Sequence, residues 1–362
     1  MSVDVNPGLR IVSVGGGTGL STVLAGLKTH ARPDTTFPRT DLPWIDTLTA
    51  VVTVTDDGGS SGRLREEFQI LPPGDIRNCM VALAEDERLL TRLFQFRFES
   101  DGDLSGHSFG NIFLTALTAV TGDFVEAIKL TSEVLAIKGR IFPSTTEDIS
   151  LMAELEGGRI VVGETKIVQA RSRIKRLWLS NKDCRPLPET LEAIEHADMI
   201  TIGPGSLYTS IIPNLLVHGI VDAIRASNAI KVYICNIMTQ PGETEGFGVA
   251  DHIRALYDSS PDLPLDYVIV NSAPISAALR GKYLADGAVQ VEPEPGGALD
   301  GLTRIIEGKS TSSAPVNFGI VTGDLINEND VVRHDPGKLA RLLLEMYRAD
   351  SRKERASQVR SS

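Results

Sequence analysis

The sequence predicts an α/β protein: a mainly parallel sheet with helices on both faces and a small antiparallel insert. Three observations carry this. Strand-like apolar runs alternate with amphipathic stretches over most of the chain. Several of those runs end in glycine-bearing turns that lead into a helix. One segment, 150–179, breaks the alternation with three short strand-like runs, joined by Glu156-Gly157-Gly158 and a basic turn.

The first strand is read at 10–14, and the helix after it at 20–29, where Leu20, Val23, Leu24 and Leu27 recur at helical spacing. Pro33, Pro38 and Pro43 make 31–46 an irregular loop before a second strand at 48–55. Further strands are expected at 198–203, 230–236, 266–270 and 317–321. Helices are expected at 109–121, 124–136, 187–196, 214–227, 247–258 and 336–348. These elements are read as one domain over 9–349, with a polar tail at 350–362 expected to be disordered.

Composition narrows the function classes. The 362 residues are 42% hydrophobic and 23% charged, ordinary for a globular chain. A net charge of −11 argues against a broad nucleic-acid surface, so an anionic ligand must be held locally by loop amides, a few arginines or a metal ion. Residues 1–10 lack the regions of a signal peptide, and no apolar stretch approaches the ~20 residues that span a bilayer. Cys79, Cys184 and Cys235 are scattered, with no C-x-x-C pair, which reads as a reduced cytoplasmic protein without a structural zinc.

Six polar loops could carry chemistry. After the first strand, Gly15, Gly16, Gly17, Thr18 and Gly19 place four glycines in five positions. Such a loop lets backbone approach an anion at a helix N-terminus, although the glycines could also serve a tight turn alone. It is neither the dinucleotide fingerprint, which would need glycine at Leu20 or Thr22, nor a Walker A loop, since no lysine closes it. After the second strand come Asp56 and Asp57, a Gly/Ser loop, and Arg63 and Arg65. Paired carboxylates suit magnesium or ligand hydroxyls, and alternating arginines suit phosphate; an acidic turn with solvated arginines is the plain alternative.

Pro72-Pro73-Gly74 then fixes a turn before Asp75, Arg77 and Asn78. Asp75 is either the N-cap of a helix beginning at Ile76 or a ligand group, and Arg77 and Asn78 stand where they could meet an anion. Cys79 reads as a buried small residue rather than a nucleophile. His107, Ser108 and Asn111 offer a base, a hydroxyl and an amide at one helix start, for ligand positioning or simply for capping. Gly203, Gly205, Ser206, Thr209 and Ser210 form a second strand–glycine–helix element, suggesting a diphosphate or two phosphorylated ligands. Asn236, Thr239, Gln240 and Glu243 follow another strand and could line the same mouth.

Taken together, Gly15-Gly16-Gly17-Thr18-Gly19-Leu20, the run from Asp56 to Arg65, Pro73-Gly74-Asp75-Ile76-Arg77-Asn78, Gly106-His107-Ser108-Phe109-Gly110-Asn111, the Gly203 to Ser210 run and Tyr233 to Gln240 resemble the gluconeogenesis factor family. That family is similar to 2-phospho-L-lactate transferase, and the resemblance covers roughly 9–345. It implies a Rossmann-like core and a nucleotide-type ligand: UDP-sugar binding of the UDP-N-acetylglucosamine type, in proteins needed for cell shape and wall synthesis on gluconeogenic carbon sources. It also implies that Tyr283, in Gly281-Lys282-Tyr283, and Arg333, before His334, belong to the nucleotide site.

The transferase relatives imply the alternative, a magnesium-dependent enzyme with a nucleotide-activated donor, in which Asp56 and Asp57 hold the metal or the acceptor. Their deazaflavin site also uses a lysine in a Leu-Lys-Leu-Gly-Asp-like run. The matching stretch here, Leu93-Phe94-Gln95-Phe96-Arg97-Phe98-Glu99, has neither that lysine nor Gly-Asp. The expected partner is thus a UDP-sugar or other nucleotide-type ligand, without nucleic acid or a membrane span. A homo-oligomer remains open.

Overall fold

The computed structural model describes residues 8–31, 42–85, 88–99, 101–292, 318–329 and 331–361. Residues 1–7 and 32–41, which include part of the N-terminal reading and most of the proline-bearing loop, lie outside them.

Alternating apolar runs and amphipathic stretches fold as expected into a parallel sheet flanked by helices. Its strands are β1 (Leu9–Gly15), β2 (Ile45–Val52), β3 (Arg140–Pro143), β7 (Met199–Ile202), β8 (Ile230–Ile234), β9 (Tyr267–Asn271) and β10 (Gly319–Gly323). They lie in the order β10-β9-β8-β7-β1-β2-β3, every pair parallel. Central strands read as unbroken apolar runs because helices cover both faces: Met199, Ile200 and Ile202 of β7 and Ile11, Val12 and Val14 of β1 are all buried. From β1 the chain winds outward through β2 and β3, then returns to β7 on the other side. The carboxyl ends of β1 and β7 therefore flank a topological switch point, where open α/β sheets form a crevice.

The insert is a separate three-stranded antiparallel sheet, order β5-β4-β6, built from β4 (Leu151–Leu155), β5 (Ile160–Val162) and β6 (Ile174–Leu179). Leu151, Ala153 and Leu155 alternate inward onto the core while Met152 and Glu154 stay partly exposed. A hairpin of β11 (Ile326–Glu328) and β12 (Val332–His334) follows β10.

Several elements differ from the sequence expectation. The Gly/Ser stretch after Asp57 is helix Gly59–Phe68. Small residues there let the turn pack tightly, and a Cβ on Gly62 would stand 2.1 Å from the Asp57 carbonyl oxygen, so packing outweighs poor helix propensity. A short helix, Glu164–Gln169, stands between the second and third insert strands. The helix expected at 214–227 is broken into Ile212–Leu216 and Ile220–Ala226, because Gly219 adopts φ +93° between them. The last helix, Pro336–Ser361, runs through most of the tail expected to be disordered. It is anchored by buried Leu339, Ala340, Leu343 and Leu344, and the Arg, Lys, Glu, Ala and Gln residues beyond them propagate a helix well. Among the described residues, no single helix is long and apolar enough to cross a membrane.

Candidate functional site

The switch-point crevice holds a cavity of about 560 Å³. Its floor is the loop after β1. Gly16 precedes helix Gly17–Lys28 without any side-chain cap of its own, and of the first-turn amides the Gly17 N–H donates to the Asp75 carboxylate. Gly17 sits at φ +59°, which a side chain would strain. A Cβ on Gly19 would stand 2.3 Å from the Pro204 carbonyl oxygen, so the loops after β1 and β7 meet backbone to backbone. Asn214 donates from Nδ2 to the Gly15 carbonyl at 3.1 Å and fixes that floor from beneath.

Gly16, Gly17, Thr18, Gly19, Gly205, Ser206, Asn236, Thr239, Tyr283 and Arg333 all line this one cavity. Gln240 Nε2 donates to Ser206 Oγ at 2.8 Å, and the Gly205 amide donates to Asn236 Oδ1 at 3.2 Å, tying the β7 and β8 loops together. Tyr283 and Arg333 arrive from elements far apart in sequence, and one bond joins them. The Val332 amide donates to the Tyr283 hydroxyl at 2.9 Å, so the tyrosine holds the strand that presents the exposed Arg333.

His334, next on that strand, also lines the cavity, which the sequence reading did not anticipate. Its Nε2 is buried without a hydrogen-bond partner among the described residues, and burial pushes its pKa down to about 4, so the ring is neutral. Gly15 and Gly203 lie under the two loops rather than on the cavity wall. Thr209 is buried and donates to Glu243 Oε1 at 3.3 Å, a supporting role.

The remaining candidates form a second layer beside the glycine loop. Asp75 is not the N-cap, which is Pro73; it stands in the first turn of helix Gly74–Leu83, where a Cβ on Gly16 would be 2.6 Å from its Oδ2. Burial and neighbouring Asp56 push its carboxyl up to about 7, although the Gly17 amide and Arg77 oppose the rise. Arg77 is buried, donates to Asn78 Oδ1 at 2.7 Å and leaves Nε without a partner among the described residues. Ser108 takes the capping role: its Oγ accepts from the Asn111 amide at 3.2 Å. Ser60, unmarked in the sequence reading, is the hub, 3.0 Å from His107 Nδ1 and accepting from Asn111 Nδ2 at 3.1 Å. Arg63 is exposed and donates to the Ser105 carbonyl, while Arg65 pairs with Asp148; neither lines the cavity. Cys79, Cys184 and Cys235 are buried and form no disulfide, and the burial is as expected of Cys79.

The magnesium expectation meets a different arrangement. Asp57 Oδ1 accepts from both the amide and the hydroxyl of Thr165, at 2.9 and 2.7 Å, and Asp56 Oδ1 accepts from the Gly58 amide at 2.9 Å. Among the described residues no three His, Cys, Asp or Glu side chains are grouped as metal ligands. The pair as it stands braces the insert and the helix start through one oxygen of each carboxylate. Sequence reasoning missed Glu164, whose pKa is pushed up to about 9 by burial and by Asp56, Asp75, Glu243 and Asp57; Glu243, expected at the mouth, lines the cavity and is pushed up to about 7 by burial.

Fold and crevice define an α/β protein whose two glycine-rich loops close one cavity at the carboxyl edge of its sheet. Residues 11–309 match the family model for 2-phospho-L-lactate transferase CofD, and the chain belongs to this CofD-like family. It is 46% identical over 336 residues to gluconeogenesis factor of Halalkalibacterium halodurans, covering 93% of this chain and 96% of that protein. It is 44% identical over 339 residues to gluconeogenesis factor of Bacillus subtilis, covering 94% and 98%. A crystal structure of a UPF0052 family member from Bacillus halodurans superposes with a TM-score of 0.82 at 46% identity, covering 93% of this chain and 99% of that one.

Proposed function

We propose that this protein, whose relatives are named gluconeogenesis factor, binds a UDP-sugar of the UDP-N-acetylglucosamine type in the switch-point cavity and acts in the cytoplasm to support cell-wall synthesis and cell shape during gluconeogenic growth. The observation that carries this is the convergence of the amide-rich loops after β1 and β7 with Tyr283 and Arg333 on one cavity. Backbone amides at a helix start suit a diphosphate, a guanidinium suits phosphate oxygens, and an aromatic ring suits a pyrimidine face. At about 560 Å³ the cavity falls in the range of small-molecule sites.

Calorimetric titration with UDP-N-acetylglucosamine tests the reading. Arg333→Ala and Tyr283→Ala should each weaken binding by about tenfold or more, through a lost charge-assisted contact and a lost stacking surface. Tyr283→Phe keeps the ring but drops the Val332 bond, and should lose less than Tyr283→Ala. Absence of any UDP-sugar binding by the unaltered protein would overturn the proposal.

A further inference from the structure

A second cavity, of about 580 Å³, lies away from the switch point, between β6 and helix Val249–Ser259. Consecutive residues of β6, from Ile174 through Leu179, all line it. Side chains of a strand alternate between its two faces, so a wall made of successive residues is the strand's edge. That edge is open: β6 pairs with β4 alone, and no described strand lies on its other side. The opposite wall and floor are mixed: apolar Leu216, Phe247 and Ala255 stand beside Asp258, Ser259 and Asp251, which pairs with Arg254, and the rings of Tyr208 and Phe247 lie edge to face at 6.2 Å. Glu156 lies at the β6 side.

Two further observations point to an occupant. Arg173, Lys175 and Lys182 line the groove and make no ion pair with a described residue, in a chain whose net charge is −11. Tyr208 is only 7% exposed and adds an aromatic surface to the groove. Charged residues on an open edge oppose pairing of the edge with a copy of itself, and the same charges favour a partner of opposite sign.

We propose that this groove binds an extended acidic peptide segment of a partner protein, which adds to β6 as a fourth strand of the insert sheet. Its backbone pairs with the open edge of β6, alternate apolar side chains rest on Phe247 and Ala255, and its carboxylates face Arg173, Lys175 and Lys182. The six residues of β6, at ~3.4 Å each, offer an edge of ~20 Å, the length of an ordinary strand. Tyr208 belongs to the same Gly203–Ser210 run whose Gly205 and Ser206 line the switch-point cavity, so one loop separates the two sites.

The test uses fluorescence anisotropy of a fluorescein-labelled peptide of alternating glutamate and valine with the intact protein. A companion peptide carries N-methyl groups at alternate residues, which removes the donors of one strand edge and leaves charge unchanged. The unmodified peptide should bind saturably, and the N-methylated one about tenfold more weakly. The surface variant Arg173→Glu/Lys175→Glu, shown by circular dichroism to be folded, should lose binding by a similar factor. Equal affinity for both peptides, unchanged affinity in the charge-reversed variant, absence of saturable binding, or full displacement by inorganic phosphate would each overturn strand addition; the last would mark a small-anion site instead.

Discussion

Glu164 shows how a single carboxyl can set the pH response of this protein. Burial and four acidic neighbours hold its pKa at about 9, above the unfolded value of 4.5, so between those values the folded state keeps a proton that the unfolded chain releases. Its contribution to stability is complete below pH 4.5 and is lost as pH rises through 9. Asp75 and Glu243, each raised to about 7, act in the same direction over a lower window. Thermal melts from about pH 5 to pH 9 should show a midpoint that falls with rising pH, and Glu164→Gln should flatten the fall in its upper half. A melting point that rises across that window would contradict the assignment. Gly19 makes a second residue-scale prediction. With the Pro204 carbonyl 2.3 Å from a Cβ position, Gly19→Ala should force the two loops apart, at about 1–3 kcal/mol of stability, measured by chemical denaturation.

Among the elements, the insert is secured by a small bracket. Asp57 at the end of the β2 loop accepts twice from Thr165 in the first turn of Glu164–Gln169, joining main sheet and insert. Thr165→Val removes one donor from a partly buried carboxylate, which should cost about 1–2 kcal/mol and raise hydrogen exchange in the insert before the main sheet. Equal exchange in both regions would mean that the bracket is not the tie. This contact explains what the sequence could and could not disclose. Asp56-Asp57 stood out as a chemical motif because two adjacent carboxylates after a strand are conspicuous, yet the partner of Asp57 lies 108 residues away and carries no signal of its own. β1, β2 and the helix at Phe109–Thr121 were readable because their apolar spacing is local. Helix Gly59–Phe68 was not, since glycine and serine argue locally for a loop and only tertiary packing makes them helical. His334 and Ser60 were hidden for the same reason, as lone polar residues made significant by what surrounds them.

At the scale of the molecule, sheet order fixes where chemistry can happen. The reversal of winding at β1 and β7 opens the crevice, and their two glycine loops, legible in sequence, fall on either side of it. What the sequence did not separate is the cavity wall from its support. Gly16 to Gly19, Gly205, Ser206, Tyr283 and Arg333 face the cavity, while Asp75, Arg77, His107 and Asn111 brace the layer beside it. The peptide groove along β6 stands at a different edge, so the molecule offers two recognition surfaces joined by the Gly203–Ser210 run. A crystal structure of the protein with UDP-N-acetylglucosamine tests the central claim most directly. It should place the diphosphate against the amides of the loops after β1 and β7, with the uracil ring beside Tyr283 and Arg333 on a phosphate oxygen. A nucleotide bound elsewhere, or a crevice left empty at saturating ligand, would contradict it.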